Sequence, residues 1–293
     1  MSRPVAQTSS NPPRDPAPTG AVRIDSWVVN VPSENYLIDH LIEDAGNGRG
    51  GMVFTINLDH FSQLRVDPDF RAAYECADYV TADGMPVVLM ARAEGAHIDR
   101  VTGADLVVPL SRAAADAGFP VFFFGTSDAV LERAIAELRR KIPNLVVAGS
   151  ESPPMGFDPH GEAARDAARR IAASGARFCF IALGAPKQEL FARTAVATVE
   201  GTFFLGIGAA LDFIAGTRRR APRFLQSMCL EWFWRLAQEP RRLTPRYLRS
   251  FRWLLGYLTR GVLGLPNQPQ NGSSRDVRIV VREGRGVSPT RLG

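Results

Sequence analysis

The 293-residue sequence predicts an α/β protein: a doubly wound, Rossmann-like parallel sheet followed by a basic helical appendage. Three observations carry this reading. Between about residues 27 and 210, short apolar runs alternate with longer segments of helical periodicity. Glycines and polar residues collect just after the apolar runs. Past residue 217 the pattern becomes arginine-rich and amphipathic.

The chain opens with MSRPVAQTSSNPPRDPAPTG, rich in Pro, Ser and Thr and without the apolar core of a secretory signal. Residues 1–22 therefore read as a disordered leader. Strands are expected at Trp27–Val31, Met52–Asn57, Asp78–Ala82, Val121–Gly125, Leu145–Gly149, Phe178–Gly184 and Thr202–Gly206, each short and β-branched or aromatic. Between them, 128–142 and 161–174 combine helical periodicity with good helix formers. Alternation of this kind over 23–217 builds a parallel sheet with right-handed connections, whose ligands gather at the carboxyl ends of the strands.

In the segment 218–264, residues 221–239 and 246–262 look helical, with Pro240 and Pro245 expected to break between them. On a helical wheel Tyr247, Phe251, Leu254, Leu255 and Leu258 fall together, and Arg246, Arg249 and Arg260 fall roughly opposite. The longest uncharged stretch, Trp253–Thr259, is far short of the ~20 apolar residues that cross a bilayer, so the segment can lie on a membrane but not span it. Residues 265–293 are polar and Gly/Pro-rich and read as a flexible tail.

Charge is distributed unevenly. Arg218 to Arg260 contains eleven arginines against Glu231 and Glu239, a local +9 in a chain whose formal net charge is +5. The remainder is −4, so the basic segment points to a local anionic partner, membrane or nucleic acid. With 45% hydrophobic residues the chain can bury a large core. Cys76, Cys179 and Cys229 are odd in number and lie in apolar runs, which fits a reducing compartment and gives no metal spacing.

The candidate chemistry sits at the strand ends. Asp83-Gly84 reads either as a turn or as a base at the working end of a strand, close to Thr55 and Asn57, which themselves read equally as strand-end caps. Gly125-Thr126-Ser127 reads as a plain turn with Ser127 or Asp128 as helix cap. Gly206-Ile207-Gly208 leads from an apolar run into a helix and would bring backbone N–H groups close to a pyrophosphate. As a dinucleotide fingerprint it fails, because Leu211 stands where GxGxxG requires glycine. Gly184-Ala185-Pro186-Lys187-Gln188 places one of only two lysines after a strand, as a compact cation or a solvated cap. Asp67-Pro68-Asp69 spells DxD away from any strand end and reads as a turn, so no metal and no cofactor is expected.

Taken together, TINLDH (55–60), TADGMPVV (81–88), RVTGADL (100–106), LGAPKQE (183–189) and the run from Gly206 to Leu243 resemble the WecG/TagA/CpsF family of bacterial glycosyltransferases, in order and at the family's spacing. The resemblance implies transfer of an N-acetylmannosamine, N-acetylmannosaminuronate or glucuronate type of sugar from a UDP donor to a polyprenyl-diphosphate-linked saccharide. It implies inversion without a metal, at the cytoplasmic face of the membrane. It makes Asp83 the catalytic Asp, places Thr55 and Asn57 in the active site and matches Gln188 to the Gln of the family's GxPxQE block. Thr55 is counted as catalytic, and Asn57, Gly84, Asp105, Gly184, Lys187, Gln188, Gly206, Gly208, Asp212 and Arg220 are the substrate-binding candidates. An anionic membrane surface is the expected macromolecular partner, nucleic acid is not, and self-association into a homo-oligomer is compatible with it. Two other classes stay open on the residues alone: a nucleotide-binding oxidoreductase, and a non-enzymatic membrane or nucleic-acid adapter, which explains the arginines but not the polar strand ends.

Overall fold

Strands and helices alternate along the chain, and the computed structural model describes residues 21–222, 231–238 and 240–262. The expected leader up to residue 20, Cys229 and the tail from 265 lie outside the described residues.

The first element departs from expectation. Val22–Ile24 (β1) and Trp27–Val29 (β2) pair antiparallel around Asp25 and Ser26, whose φ values are 44° and 74°. Positive φ at both central residues is the geometry that lets a two-residue turn join twisted strands. The strand expected at Trp27–Val31 therefore belongs to a local hairpin and not to the parallel sheet, and the expected leader is shortened because Val22 is already paired. Asn30 ties this hairpin to the edge of the sheet. Its Nδ2 donates to the Asp78 carbonyl at 2.8 Å and its Oδ1 accepts the Val80 N–H at 2.7 Å.

The main sheet is built from Gly51–Ile56 (β3), Tyr79–Ala82 (β4), Val121–Gly125 (β5), Val147–Glu151 (β6), Phe178–Ala182 (β7) and Phe203–Gly206 (β8). All neighbours are parallel, in the order β4-β3-β8-β7-β5-β6. The strand expected at Leu145–Gly149 starts two residues later, because the Leu145 N–H is still bound in a turn to the Ile142 carbonyl at 3.1 Å. The intervening helices are Glu34–Gly46 (α1), Leu58–Leu64 (α2), Pro68–Glu75 (α3), Met85–Ala93 (α4), Gly103–Asp116 (α5), Asp128–Lys141 (α6), Glu162–Ala173 (α7), Lys187–Val196 (α8) and Ala210–Ile214 (α9). Glu231–Gln238 (α10) and Pro240–Val262 (α11) follow.

Because strand side chains alternate, each buried strand feeds two cores. Phe122 and Phe124 of β5 pack with α7, α8 and α2 on one face, whereas Phe123 packs with Phe180 and the helices α1, α5 and α6 on the other. The helices leaving β3 and β8 separate in the same way: Phe61 and Leu64 of α2 join the first core, and Ala210 and Leu211 of α9 join the second. Adjacent parallel strands whose following helices part to opposite faces leave a crevice at their carboxyl ends, the place where sheets of this kind bind ligands.

α11 corrects a second expectation. It starts at Pro240, and Pro245 lies inside it instead of breaking it. Proline at N1 loses nothing, and at the second turn it removes one hydrogen bond; the Thr244 hydroxyl donates to the Pro240 carbonyl at 2.7 Å there. The helix packs on α2 through Leu243, Ser250, Trp253 and Tyr257, which are buried. The Trp253 ring stacks on Phe61 at 4.7 Å, and the Tyr257 hydroxyl donates to Glu94 at 2.8 Å. Trp253 and Tyr257 thus face the protein, not an outer interface. Leu254 too is half-buried against the core. Among the described residues no helix is long and apolar enough to cross a membrane.

Candidate active site

The crevice between β3 and β8 is lined by the residues that end these strands. Thr55 pairs in register with Thr81, and the Asp83 N–H donates to the Ile56 carbonyl at 2.8 Å, so Asn57 and Asp83 leave the sheet side by side. Gly84 then takes φ 107° and ψ 145°, a conformation closed to L side chains, and caps α4. The Asp-Gly pair is thus a turn, and the turn fixes where Asp83 emerges. Thr55 is buried, and its hydroxyl makes no hydrogen bond with the described residues, while its carbonyl accepts the Tyr74 hydroxyl at 3.1 Å. Asn57 is the N-cap of α2, its Oδ1 accepting the N–H groups of Asp59 at 3.0 Å and His60 at 3.2 Å.

On the other wall, Gly184 at φ 73° and Pro186 turn the chain from β7 into α8. Lys187 is exposed on the first turn, but Gln188 points inward at 3% exposure. Gln188 Oε1 accepts the Gly208 N–H at 3.0 Å, and the Ile207 N–H donates to the Ile181 carbonyl at 3.0 Å. Two of the N–H groups expected to be free, those of Ile207 and Gly208, are therefore already used to hold the turn. The glycine at 206 is required by Gln188, since a Cβ there would lie 2.9 Å from its Nε2.

Asp105 and Arg220 are brought to a different cluster, and Asp212 serves the loop after α9. Thr102 caps α5 and exchanges hydrogen bonds with Asp105 (3.1 and 2.9 Å), whose carboxylate also accepts Arg100 at 3.0 Å and Arg220 Nη2 at 3.0 Å. Burial pushes the Asp105 carboxyl up, but the Arg220 hydrogen bonds and charge, with Thr102 and Arg100, outweigh it and hold it below its ordinary value. These bonds tie the start of the basic segment to α5. Asp212 closes the loop after α9 by accepting the N–H groups of Thr217 and Arg218 on its carbonyl. Asp67 is the N-cap of α3 and accepts the Phe70 N–H at 3.0 Å; Pro68 and Asp69 open that helix, so the DxD run is a helix start and not the expected turn.

Beneath the crevice lies a polar cluster that the sequence reading did not single out. Asp59, His60 and Glu189 are 4%, 3% and 1% exposed. His60 Nδ1 is 2.8 Å from the Tyr74 hydroxyl, and Arg246 reaches in from α11 to Asp59 at 2.8 Å. Burial, then the Arg246 charge, pushes the His60 imidazole down to about 3, so it is neutral at physiological pH and serves as a hydrogen-bonding group. Burial pushes the Glu189 carboxyl up to about 7, against the hydrogen bond from Gln188 and the Arg246 charge. Tyr74 is raised well above its ordinary value by burial and then by the Glu189 and Asp83 charges. The signal for Asp59, His60 and Glu189 was present: they stand inside TINLDH and LGAPKQE, but a side chain within a helix carries no mark of burial in the sequence. Arg246 lies opposite exposed Phe251, Leu255 and Leu258, as the helical wheel expects, but its pairing with Asp59 was not foreseen.

A parallel sheet whose switch-point crevice holds a hydroxyl, an amide and a carboxylate over a buried acid–base cluster defines an α/β enzyme that works at its strand ends. The Glycosyl transferase WecG/TagA/CpsF family matches residues 22–265, and the chain belongs to that family. It is a glycosyltransferase of cell-surface polysaccharide synthesis, acting on a sugar donor and an acceptor.

Proposed function

We propose that this glycosyltransferase moves an N-acetylmannosamine, N-acetylmannosaminuronate or glucuronate type of sugar from UDP to a polyprenyl-diphosphate-linked saccharide, with inversion and without a metal. The observation that carries the reading is Asp83, set by its glycine turn beside Asn57 at the mouth of the crevice. Asp83 takes the proton of the acceptor hydroxyl as that oxygen attacks the anomeric carbon. The bond to the UDP oxygen breaks on the opposite face, and the diphosphate leaves with the electron pair. With the Ile207 and Gly208 N–H groups occupied, the departing charge is met by side-chain cations: exposed Lys187 is the first candidate, and Arg220 takes part only by leaving its pair with Asp105. Asp67 is used as a helix cap, so the DxD run supplies no metal site in this reading.

The lipid end of the acceptor is met at the inner face of the cytoplasmic membrane by the outer side of α11. Leu248, Phe251, Leu255 and Leu258 are 60%, 57%, 65% and 52% exposed there, bordered by exposed Arg249 and Arg252. A panel of UDP-sugars tests the reading: at least one should raise the melting temperature and be turned over onto a polyprenyl-linked saccharide with EDTA present. Absence of stabilisation by every UDP-sugar would refute the donor class. Activity lost in EDTA and restored by Mg²⁺ or Mn²⁺ would refute metal independence.

A further inference from the structure

Glu189 is almost fully buried, and its Oε2 makes no hydrogen bond with the described residues. A buried polar oxygen without a partner costs ~1–3 kcal/mol, and an apolar side chain of similar size would avoid that cost. Stability therefore gives no reason for a carboxyl here. The other oxygen, Glu189 Oε1, accepts Gln188 Nε2 at 2.9 Å. The opposite end of the same amide, Gln188 Oε1, accepts the Gly208 N–H at 3.0 Å.

A glutamine amide can rotate by half a turn with almost no change of shape. Rotated, it would set its NH₂ group against the Gly208 N–H, donor against donor. An acceptor at Glu189 leaves one orientation in which both ends are satisfied. The consequence reaches the turn after β8, which is held tightly on two sides. Gly206 lies against Gln188 Nε2, and on the far side a Cβ at Gly103 of α5 would lie 2.7 Å from Ile207 Cα. Packed between α5 and the Gln188 amide, and bonded to that amide through the Gly208 N–H, the turn follows the amide. Burial pushes the Glu189 carboxyl up to about 7, and an acceptor oxygen remains in either protonation state.

We propose that Glu189 is a positioning residue of the transferase: by fixing the amide orientation of Gln188 it sets the Gly206–Gly208 turn that walls the crevice opposite Thr55. This rests on the crevice being the site of transfer. Four variants test it, Glu189→Gln, Glu189→Leu, Gln188→Leu and the double Gln188→Leu with Glu189→Leu, read by kcat/KM and by hydrogen exchange at the Gly208 amide. Glu189→Gln keeps an acceptor and should stay within ~3-fold of the parent in both readouts. Glu189→Leu should speed Gly208 exchange and lower kcat/KM by ~10–100-fold, the range for a group that orients a working residue. The double variant should be no worse than Gln188→Leu alone, since the two act through one amide.

Full activity and unchanged exchange in Glu189→Leu would overturn the proposal. So would a loss in Glu189→Gln as large as in Glu189→Leu, which would make charge and not orientation the need. Should Glu189→Leu not fold, the smaller Glu189→Ala takes its place; failure of both would assign Glu189 to the fold and overturn the proposal. If the parent protein turns over no sugar nucleotide, the transferase reading fails, and Gly208 exchange alone decides whether Glu189 sets the turn.

Discussion

At the carboxyl ends of β5 and β6 the chain turns through Gly125 at φ 116° and Thr126 at φ 48°, and the Ser152 hydroxyl donates to the Thr126 carbonyl at 2.7 Å. At the ends of β4, β7 and β8 it turns through Gly84 at φ 107°, Gly184 at φ 73° and Gly208 at φ 57°. The backbone devices of the two halves of the sheet are alike. Their side chains are not. Thr55, Asp59, His60, Thr81, Gln188 and Glu189 are buried around the ends of β3, β4 and β7, whereas the described residues following β5 and β6 bury no polar side chain. Glycine turns are what any strand-to-helix exit needs; burying carboxyls and an imidazole costs free energy, and the buried Asp59 and His60 lie on α2, the helix that α11 packs against.

The largest effect expected from this contrast is on catalysis. Asp83→Asn keeps size and turn geometry but removes the base, so transfer should fall by ~10²–10⁴ while UDP-sugar stabilisation persists. Ser127→Ala, at the equivalent exit of β5, should leave turnover within ~2-fold, because the Ser127 side chain makes no cap bond. Comparable losses in the two variants, measured by product formation at neutral pH, would erase the distinction between the halves.

Next comes the cover over the active half. Trp253 is 5% exposed, stacked on Phe61 and overlain by the Arg65 guanidinium at 5.5 Å from its ring centroid. Trp253→Ala should destabilise the protein by ~3–5 kcal/mol in urea unfolding, the range for emptying an aromatic site. A change under ~1 kcal/mol would mean that α11 rests on α2 without being held by it.

The buried cluster also predicts a pH signature. Glu189 is raised from an ordinary 4.5 to about 7, so the folded state binds the extra proton and its contribution is present at low pH and lost as pH rises towards 7. His60 is lowered from 6.5 to about 3, so its contribution has the opposite sign: present above 6.5 and lost on acidification. Between 4.5 and 6.5 the two oppose each other and the slope of stability is shallow. Asp105, Glu137 and Glu162, all lowered, act below this window, and Glu34, raised, adds to Glu189. Glu189→Gln should uncover His60, so that stability falls on acidification from 6.5 to 4.5 by up to ~1.4 kcal/mol per pH unit. A variant with the parent's profile would remove the two groups from the pH balance.

How far the site could be read in advance follows from the same contrast. Alternating apolar runs carry the parallel sheet, and Asp83, Thr55 and Asn57 are legible because they end strands, where position implies direction. The hairpin at Asp25-Ser26 is hidden because neither residue is the glycine that usually marks such a turn. Pro245 misleads because a proline early in a helix and one that ends it look the same in sequence. The Arg246–Asp59 pair is not legible because periodicity fixes which residues share a face, not which face meets the protein. Glu189 and His60 are invisible for the simplest reason: their interest lies in being buried, and burial is a property of the partners that cover them.

The smallest expected effect concerns the outer side of α11 and should leave the fold untouched. On the β5–β6 side, large exposed apolar residues such as Val146 and Met155 occur singly, which is ordinary for a protein surface. Over the other half, Leu248, Phe251, Leu255 and Leu258 form one stripe, and the Trp232 ring approaches Phe251 at 5.9 Å. A stripe of this kind beside exposed Arg249 and Arg252 fits the plane of an anionic bilayer, with each cation near the surface contributing about 1 kcal/mol. Leu255→Glu combined with Leu258→Glu should shift unfolding stability by no more than ~1 kcal/mol, since both side chains are solvated in the folded protein. It should weaken cosedimentation with vesicles containing phosphatidylserine, and high salt should weaken binding of the parent in the same direction. Turnover of a water-soluble acceptor should be unchanged while turnover of a polyprenyl-linked one falls. A double variant that binds anionic vesicles as tightly as the parent would detach α11 from the membrane and leave its outer stripe as mere surface.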